Sequence, residues 1–204
     1  MDGHLVTSMH QVRELYGEPG EGVLRKELDH LDAHCRALIA HSPFVVVSTA
    51  SAAGQCDASP KGGPPGFVTV LDDRRLAFAD ARGNRRVDSL HNVLENPHIG
   101  MLFLVPGNGE TLRINGTAQL SREPSLLERL ATGGKPGRLA VVVTIEQAYM
   151  HCAKAVLRSG LWSPDEWPSG EELPSGAEIM ADHSGVGDRE SWEAAIADSY
   201  ANRL

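Results

Sequence analysis

The chain has 204 residues and a formal net charge of −8, because 27 Asp and Glu residues outnumber 19 Lys and Arg residues. Hydrophobic residues make up 41% of the chain, which is ordinary for a soluble globular protein of one domain. The acidic balance argues against general nucleic-acid binding, which depends on many contacts from Lys and Arg to phosphate.

The first 41 residues are predicted to be helical. A short helix is expected at Met9–Tyr16, and residues 21–41 place their apolar positions at steps of four and three, which is typical of one face of a single helix. Those positions are Leu24, Leu28, Leu31, Cys35, Leu38 and Ile39. Pro43 favours the end of the helix just before it.

From residue 44 onward, short β-branched or alternating runs are separated by turns, which predicts strands. The predicted strands are residues 44–49, 66–71, 75–79, 98–105, 111–120 and 138–145. The run 111–120 has the clearest pattern, because apolar or small residues alternate with polar ones along its whole length.

Helices are predicted only between and after the strands. Residues 85–95 carry an apolar face and follow Asn84, which is a good N-cap, and further helices are expected at 124–130 and 188–201. Residues 163–187 are rich in Pro, Gly and acidic side chains without a clear period, which predicts a surface excursion.

These elements predict a mainly β fold, a small antiparallel β-barrel of six or seven strands with flanking helices. A doubly wound sheet is disfavoured, because it would need a helix after nearly every strand. We expect one domain over residues 1–204, with an N-terminal helical segment at 1–41 and a C-terminal excursion plus helix at 163–204.

The cysteines and the termini suggest an intracellular protein without metal. Cys35, Cys56 and Cys152 are odd in number and far apart, so a disulfide framework is not expected, and burial is predicted for all three. No CxxC zinc motif occurs, and no run approaches the roughly 20 apolar residues of a membrane span. A cytoplasmic location follows, and the sequence offers no metal site and no nucleophile–base pair.

Two short segments carry the residue types of an anion site. Residues 59–66 form a Gly- and Pro-rich stretch in which small residues let backbone N–H groups approach a ligand and Lys61 supplies a charge. Three arginines then fall within five residues before a predicted helix, where free N–H groups already attract anions; they are Arg82, Arg85 and Arg86. A phosphate monoester fits this combination, although a Pro/Gly surface loop and a solvated basic loop explain the same residues.

A further arginine, Arg113, lies in the middle of the clearest predicted strand. A strand holds a side chain more firmly than a loop does, which favours a donor that faces a ligand. A solvated position on the outside of the barrel is equally compatible with the pattern.

Four motifs in this order resemble the pyridoxamine 5′-phosphate oxidase-related flavoproteins. They are Ser59-Pro60-Lys61-Gly62-Gly63, residues 83–90, residues 95–100 and residues 110–116, and residues 150–162 resemble one bacterial branch of that family. The resemblance covers residues 44–162 and implies an FMN-binding split barrel. It also implies a homodimer whose FMN lies in clefts formed by both subunits, and the apolar faces of residues 24–39 and 192–200 favour the same association.

The resemblance also implies which residues bind FMN. The phosphate-binding positions of the family fall on Lys61, Arg85 and Arg86, and Ser59 and Asn84 stand where hydroxyl or amide donors would help. Thr111 takes the place of a family glutamine near the isoalloxazine ring, with Arg113 two residues further on. The expected cofactor-binding set is completed by Gly62, Arg82 and Trp162.

The chain also departs from the oxidases that it resembles. They end in a basic, aromatic-rich segment that grips the phosphate of the substrate, whereas this chain ends in Ser-Tyr-Ala-Asn-Arg-Leu, and Cys56-Asp57 stand in place of the first Arg of the phosphate motif. We therefore expect an FMN-dependent oxidoreductase that acts on another small molecule. A non-catalytic flavin carrier and a relative that binds deazaflavin or haem are the alternatives.

Overall fold

The computed structural model describes residues 4–80 and 85–203, apart from the side chains of Glu171 and Arg203. Its centre is an antiparallel sheet of seven strands in the order β2-β1-β5-β6-β7-β4-β3. The strands are β1 (Phe44–Ala50), β2 (Cys56–Gly62), β3 (Thr69–Val70), β4 (Arg75–Ala79), β5 (His98–Leu104), β6 (Thr111–Ser121) and β7 (Ala140–His151). The mainly β prediction is confirmed, and the sheet is consistent with a split barrel.

Helices flank the sheet. They are α1 (Met9–Tyr16), α2 (Glu21–Arg25), α3 (Ala33–His41), α4 (Asp88–Glu95), α5 (Pro124–Arg129), α6 (Lys154–Ser159), α7 (Gly176–Ser184) and α8 (Arg189–Arg203). Short 3₁₀ turns occupy Pro164–Glu166 and Gly170–Glu172. None of the helices that the structure describes is long and apolar enough to cross a membrane.

The strand register defines two faces of the sheet. Lys61 pairs with Val45, Val45 with Phe103, and Phe103 with Leu112. Directly paired residues project to the same side, and the last three of these side chains are at most 1% exposed. This side is therefore the inner face, and it packs against α3 and α4 through residues such as Ile39 and Val93.

The predicted single helix over residues 21–41 is wrong. The chain leaves the helical path after α2, and Leu28 forms a β-bridge with Ala148 of β7. Asp32 then caps α3 by accepting a hydrogen bond from the Cys35 backbone N–H. Leu24 is 62% exposed, whereas Leu31 and Ile39 lie in the core. Part of the predicted apolar face therefore packs against the sheet of the same chain.

Residues 59–62, interpreted from the sequence as part of a Gly- and Pro-rich loop, belong to the edge strand β2. The strand carries few apolar residues, and its seven-residue pairing with β1 holds it in place. Pro60 is tolerated there because an edge strand can lack a donor on its open side. The loop interpretation of Ser59, Lys61 and Gly62 is therefore corrected.

Other boundaries also differ from the predictions. The strand expected at 66–71 shrinks to β3, the last strand extends to His151, and α7 forms within the predicted surface excursion. The helix expected at 85–95 begins only at Asp88, with Val87 in the N-cap position. Asn84 is therefore not the N-cap, and it lies outside the described residues. The helices expected around 124–130 and 188–201 are confirmed as α5 and α8.

The three cysteines are free thiols, as expected, but their predicted burial holds only for Cys35. Cys56 begins the edge strand β2 and is exposed, and Cys152 is exposed just after β7. Both lie at strand ends rather than in the core.

Candidate functional site

A row of polar side chains lies on the inner face of β2. Asp57, Ser59 and Lys61 alternate along the strand and are each half-buried, and Ser89 of α4 faces them. We call these four residues the inner polar row. The Ser89 hydroxyl donates to Asp57 Oδ2 at 2.6 Å, and the Ser59 hydroxyl donates to the same oxygen at 3.2 Å.

Lys61 stands where the open edge of β2 approaches the end of β4. Its Nζ lies 3.9 Å from Oδ1 of Asp80, which directly follows β4, and its side chain is 28% exposed. A small cavity beneath it has apolar walls and polar groups from Thr49, Lys61, Asp80 and Ser89. The buried Asn92 amide donates to Thr49 Oγ1 at 3.0 Å and fixes α4 against this cavity.

Arg85 and Arg86 precede Ser89 of the inner polar row by four and three positions, but the described contacts do not bring them into the row. Arg85 is exposed and has a left-handed backbone, with φ 67°. Arg86 is exposed and pairs with Asp88 at 2.9 Å. Arg82, like Asn84, lies outside the described residues. No direct contact therefore joins Arg85 or Arg86 to Lys61 among the residues described.

Carboxylates accompany the basic candidates that the structure describes. Lys61 lies near Asp80 and Arg86 pairs with Asp88, while Asp57 adds a further negative charge to the inner polar row. An ammonium, two hydroxyls and two guanidiniums are donors that a phosphate monoester accepts, so the donor types fit FMN. The two hydroxyls now donate to Asp57, and a phosphate would have to compete with that carboxylate for them.

Thr111 and Arg113 project from the opposite, outer face of the sheet. Arg113 pairs with Leu102 and Tyr149, and Leu102 pairs with Val46, whereas the intervening Leu112 belongs to the inner face. Neighbouring strands lie about 4.8 Å apart, so β6 is roughly 14 Å from β2 across the sheet. The structure therefore does not bring Arg113 and Lys61 of one chain together.

Arg113 belongs to a second group of polar residues, which we call the cation–aromatic cluster and which consists of Lys26, Arg113, Tyr149 and His151. Arg113 Nη1 donates to the Tyr149 hydroxyl at 2.6 Å. Lys26 Nζ and Arg113 Cζ lie 5.1 Å and 5.4 Å from the centroid of the Tyr149 ring, and the His151 ring centroid is also 5.1 Å away. Burial, with the positive charges of Arg113 and Lys26, lowers the pKa of His151 below its usual 6.5.

Trp162 is held near the start of β6 rather than at the inner polar row. Its indole N–H donates to the Asn108 carbonyl at 2.7 Å, within the turn between β5 and β6. Thr111 begins β6 and pairs with His151. Three predicted residues, Thr111, Arg113 and Trp162, therefore belong to this part of the chain, while Ser59 and Lys61 belong to the inner polar row.

Sequence reasoning missed several residues of both groups. Asp57 and Ser89 contact each other across 32 positions of the chain, and the only signal for Ser89 was its place in the motif at residues 83–90. Lys26 reaches the cluster because the chain folds back onto β7, and no local pattern around Lys26 indicates this contact.

The fold and the inner polar row define an antiparallel split barrel with a candidate anion site at its open edge. The family model described as pyridoxamine 5′-phosphate oxidase matches residues 31–152, which is more than half of the chain. The chain belongs to the pyridoxamine 5′-phosphate oxidase family.

Solved structures of similar fold come from several bacteria. HupZ of Group A Streptococcus is 21% identical over 58% of this chain and 91% of its own, with a TM-score of 0.46. A putative pyridoxamine 5′-phosphate oxidase of Lactobacillus delbrueckii is 21% identical over 61% and 98%, with a TM-score of 0.47. An FMN-binding protein of Syntrophomonas wolfei is 16% identical over 70% and 95%, with a TM-score of 0.45. A comparison with curated proteins gave no match.

Proposed function

We propose that this chain binds FMN and is an FMN-dependent oxidoreductase that acts on a small molecule other than pyridoxamine 5′-phosphate. The observation that carries the proposal is the half-buried Lys61 beside the Ser59 and Ser89 hydroxyls at the edge of the barrel. The family assignment supports a flavin as the ligand of this site.

In this proposal the inner polar row holds the phosphate of FMN. Lys61 supplies the charge, Ser59 and Ser89 supply hydroxyl donors, and Arg85 and Arg86 on the adjoining segment add guanidiniums. FMN supplies the electron transfer when it is bound, and the chain binds and orients it. Gly62 ends β2 beside Lys61 and would take part only through its backbone, because a side chain there would project to the opposite face of the strand.

We propose further that the protein is a homodimer and that each flavin contacts both copies. Thr111 and Arg113 lie on the outer face, so a ligand at the inner polar row of one chain reaches such residues only on a second copy. The outer face also carries the apolar side chains of Val46 and Leu102, which are only partly covered within one chain. Light scattering should give twice the mass of the chain, and a flavin-loaded monomer would contradict the proposal.

The phosphate site is tested by comparing FMN with riboflavin, which lacks the phosphate. Charge-assisted hydrogen bonds contribute about 1.5–3 kcal/mol, so Lys61→Met should weaken FMN binding roughly tenfold or more. Riboflavin binding should hardly change. The matched control is Lys135→Met, which removes the same charge at an exposed turn.

Arg86→Ala should weaken FMN binding in the same selective way, because its guanidinium would add a charge-assisted bond to the phosphate. Fluorescence titration of both flavins measures these affinities. If both variants bind FMN as tightly as the parent protein, the phosphate site is elsewhere.

Enzymatic activity separates the oxidoreductase from a flavin carrier and from relatives that use another cofactor. The purified protein should show a flavin absorption spectrum, and NADH or NADPH should reduce the bound flavin in the steady state. A flavin spectrum without such reduction would favour a carrier. A deazaflavin or haem spectrum would show that the protein binds that cofactor instead of FMN.

Pyridoxamine 5′-phosphate is not expected to be the substrate. Its phosphate needs cationic partners beyond those that bind FMN, and the resemblance to the oxidases does not extend past residue 162. Arg158, one of the few remaining candidates, donates to the Lys154 carbonyl within α6, so a substrate anion would have to rely on the cation–aromatic cluster alone. Formation of pyridoxal 5′-phosphate with kcat/KM of about 10⁴ M⁻¹s⁻¹ or more would contradict this expectation.

A cytoplasmic location is part of the proposal. Cys56 and Cys152 are exposed free thiols, and such thiols persist best in a reducing compartment. Fractionation of cells that produce the protein should recover it with the cytoplasmic markers, and recovery outside the cytoplasm would contradict this part of the proposal.

A further inference from the structure

The cation–aromatic cluster has positive charges without nearby carboxylates. Several other arginines around the sheet pair with an acidic side chain, as Arg36 does with Asp73 and Arg75 with Asp72. Within the described part of the chain, no carboxylate oxygen comes within 4 Å of the charged nitrogens of Lys26 or Arg113. Such an arrangement is unexpected in a chain with a net charge of −8.

The fold holds these cations in place. Arg113 is the third residue of β6, the second-longest strand, and its guanidinium donates a hydrogen bond to the Tyr149 hydroxyl. Leu28 exchanges two backbone hydrogen bonds with Ala148, at 3.0 Å and 2.7 Å, which ties the segment after α2 to β7. Lys26 Nζ then donates to the Met150 carbonyl at 2.9 Å. The donors are therefore positioned before any ligand arrives.

His151 reports the electrostatic consequence. Its ring lies beside Tyr149 at the end of β7. Burial first, and then the positive charges of Arg113 and Lys26, lower the pKa of His151. Like charges held close together are unfavourable, and a bound anion relieves their repulsion. A bound anion would therefore stabilise the positive charges of Arg113 and Lys26 beside His151.

We propose that Lys26, Arg113 and His151, arranged around Tyr149 on the outer face of the sheet, bind an oxyanion, namely the carboxylate or phosphate group of a small-molecule substrate. Arg113 keeps guanidinium N–H groups beyond the one that bonds Tyr149, and Lys26 keeps ammonium donors beyond the one that bonds Met150. The anion site stands on this geometry alone. Its assignment to a substrate rests on the proposed flavoprotein function.

The probes are benzoate and phenyl phosphate, with benzamide as the neutral analogue. The His151 ring is followed by NMR in the full-length protein, and its signal is assigned by its loss in His151→Gln. Both anions should shift the signal saturably and raise the pKa of His151, whereas benzamide should do neither. Absence of saturable binding by either anion would overturn the proposal.

Substitutions locate the site. Charge-assisted hydrogen bonds are strong, so Arg113→Gln and Lys26→Gln should each weaken anion binding roughly tenfold. The matched control is Arg25→Gln, which removes a neighbouring charge that pairs with Glu21 on α2 and should leave binding unchanged. An equal loss in all three variants would mean general charge attraction and would refute the site. Lys26 is exposed, so its variant should fold normally even if Arg113→Gln does not.

A second arm distinguishes the substrate from FMN as the source of the oxyanion. The benzoate titration is repeated with saturating FMN, and unchanged benzoate affinity supports a separate substrate site. Competition by FMN but not by riboflavin would mean that the cluster binds the flavin phosphate, which overturns the assignment to a substrate. Failure to bind FMN at all would contradict the proposed function while leaving the anion titration interpretable.

Discussion

A methyl group added at Gly116 should destabilise the protein strongly. Gly116 is buried in β6, where the register with β7 shifts between Asn115 and Gly116. A Cβ at this position would lie 2.0 Å from the Thr144 carbonyl oxygen and 3.2 Å from Ile145 Cα. The obstacle is backbone rather than a flexible side chain, so β6 and β7 would have to separate.

The magnitude follows from the cost of overpacking, which is about 1–3 kcal/mol when side chains and backbone must shift. A backbone contact this close places Gly116→Ala in the upper half of that range. Each kcal/mol lowers Tm by roughly 2–4 °C in a domain of this size, so Tm should fall by about 4–12 °C.

Thermal unfolding followed by circular dichroism measures the change, and Gly100→Ala is the matched control. Gly100 lies on the neighbouring strand β5, where an added Cβ would meet Asn115 Oδ1 at 3.4 Å and Ser48 Cβ at 3.8 Å, which are ordinary contacts. The control should keep Tm or raise it slightly, because alanine loses less backbone entropy on folding than glycine. Equal Tm values for the two variants would refute the predicted clash.

Three further predictions concern single groups. Cys56 and Cys152 are exposed and should react quickly with a thiol reagent. Cys35 should stay unreactive until the protein unfolds, because burial and, to a smaller extent, the nearby Asp32 raise its pKa to about 11. Asp32→Ala should cost about 0.5–2 kcal/mol in urea unfolding, because it removes the N-cap of α3. The pKa of His151 is lower in the folded state than in the unfolded chain, where it is about 6.5. The neutral ring therefore contributes to folding stability above pH 6.5, and this contribution is lost as the pH falls through the lowered pKa. The stability of His151→Gln should depend less on pH in that window.

The parts of the fold that were predicted correctly have a local signal. Side chains alternate along β6 between the core and the outer face, and this alternation is visible in the sequence because one face is strictly apolar or small. The edge strand β2 lacks that signal, since its half-buried positions are Asp57, Ser59 and Lys61. It is a strand because β1 offers it seven paired residues, and that pairing is not encoded within residues 56–62.

The candidate site also combines residues that a local pattern indicates with residues that only the fold brings together. Lys61 and Ser59 were predicted from their own segment, but the Ser89 hydroxyl that joins them comes from α4, which begins far along the chain. Lys26 belongs to the cation–aromatic cluster because the chain is not helical from 21 to 41. Instead, the segment after α2 lies against β7, where Leu28 forms a bridge with Ala148. Contacts between distant elements depend on the tertiary fold, so one sequence without its fold does not reveal them.

If each flavin lies between the inner polar row of one copy and the outer face of another, two variants with defects in different residues should restore some intact sites when they form a heterodimer. At an FMN concentration that just fills the parent protein, Lys61→Met should be largely empty, because its FMN binding is weakened roughly tenfold or more. Arg113→Gln should keep FMN, since its phosphate site is intact, but should bind benzoate roughly tenfold more weakly. Benzoate bound beside the flavin should change the visible spectrum of the parent protein.

Subunits exchanged at random give heterodimers in half of the assemblies, and each heterodimer has one site with both residues intact. The mixture should therefore regain the benzoate-induced spectral change in roughly a quarter of its sites. Gel filtration of differently tagged chains confirms that exchange occurred. If both residues served the same flavin from one chain, every site in the heterodimer would carry a defect, and mixing would restore nothing.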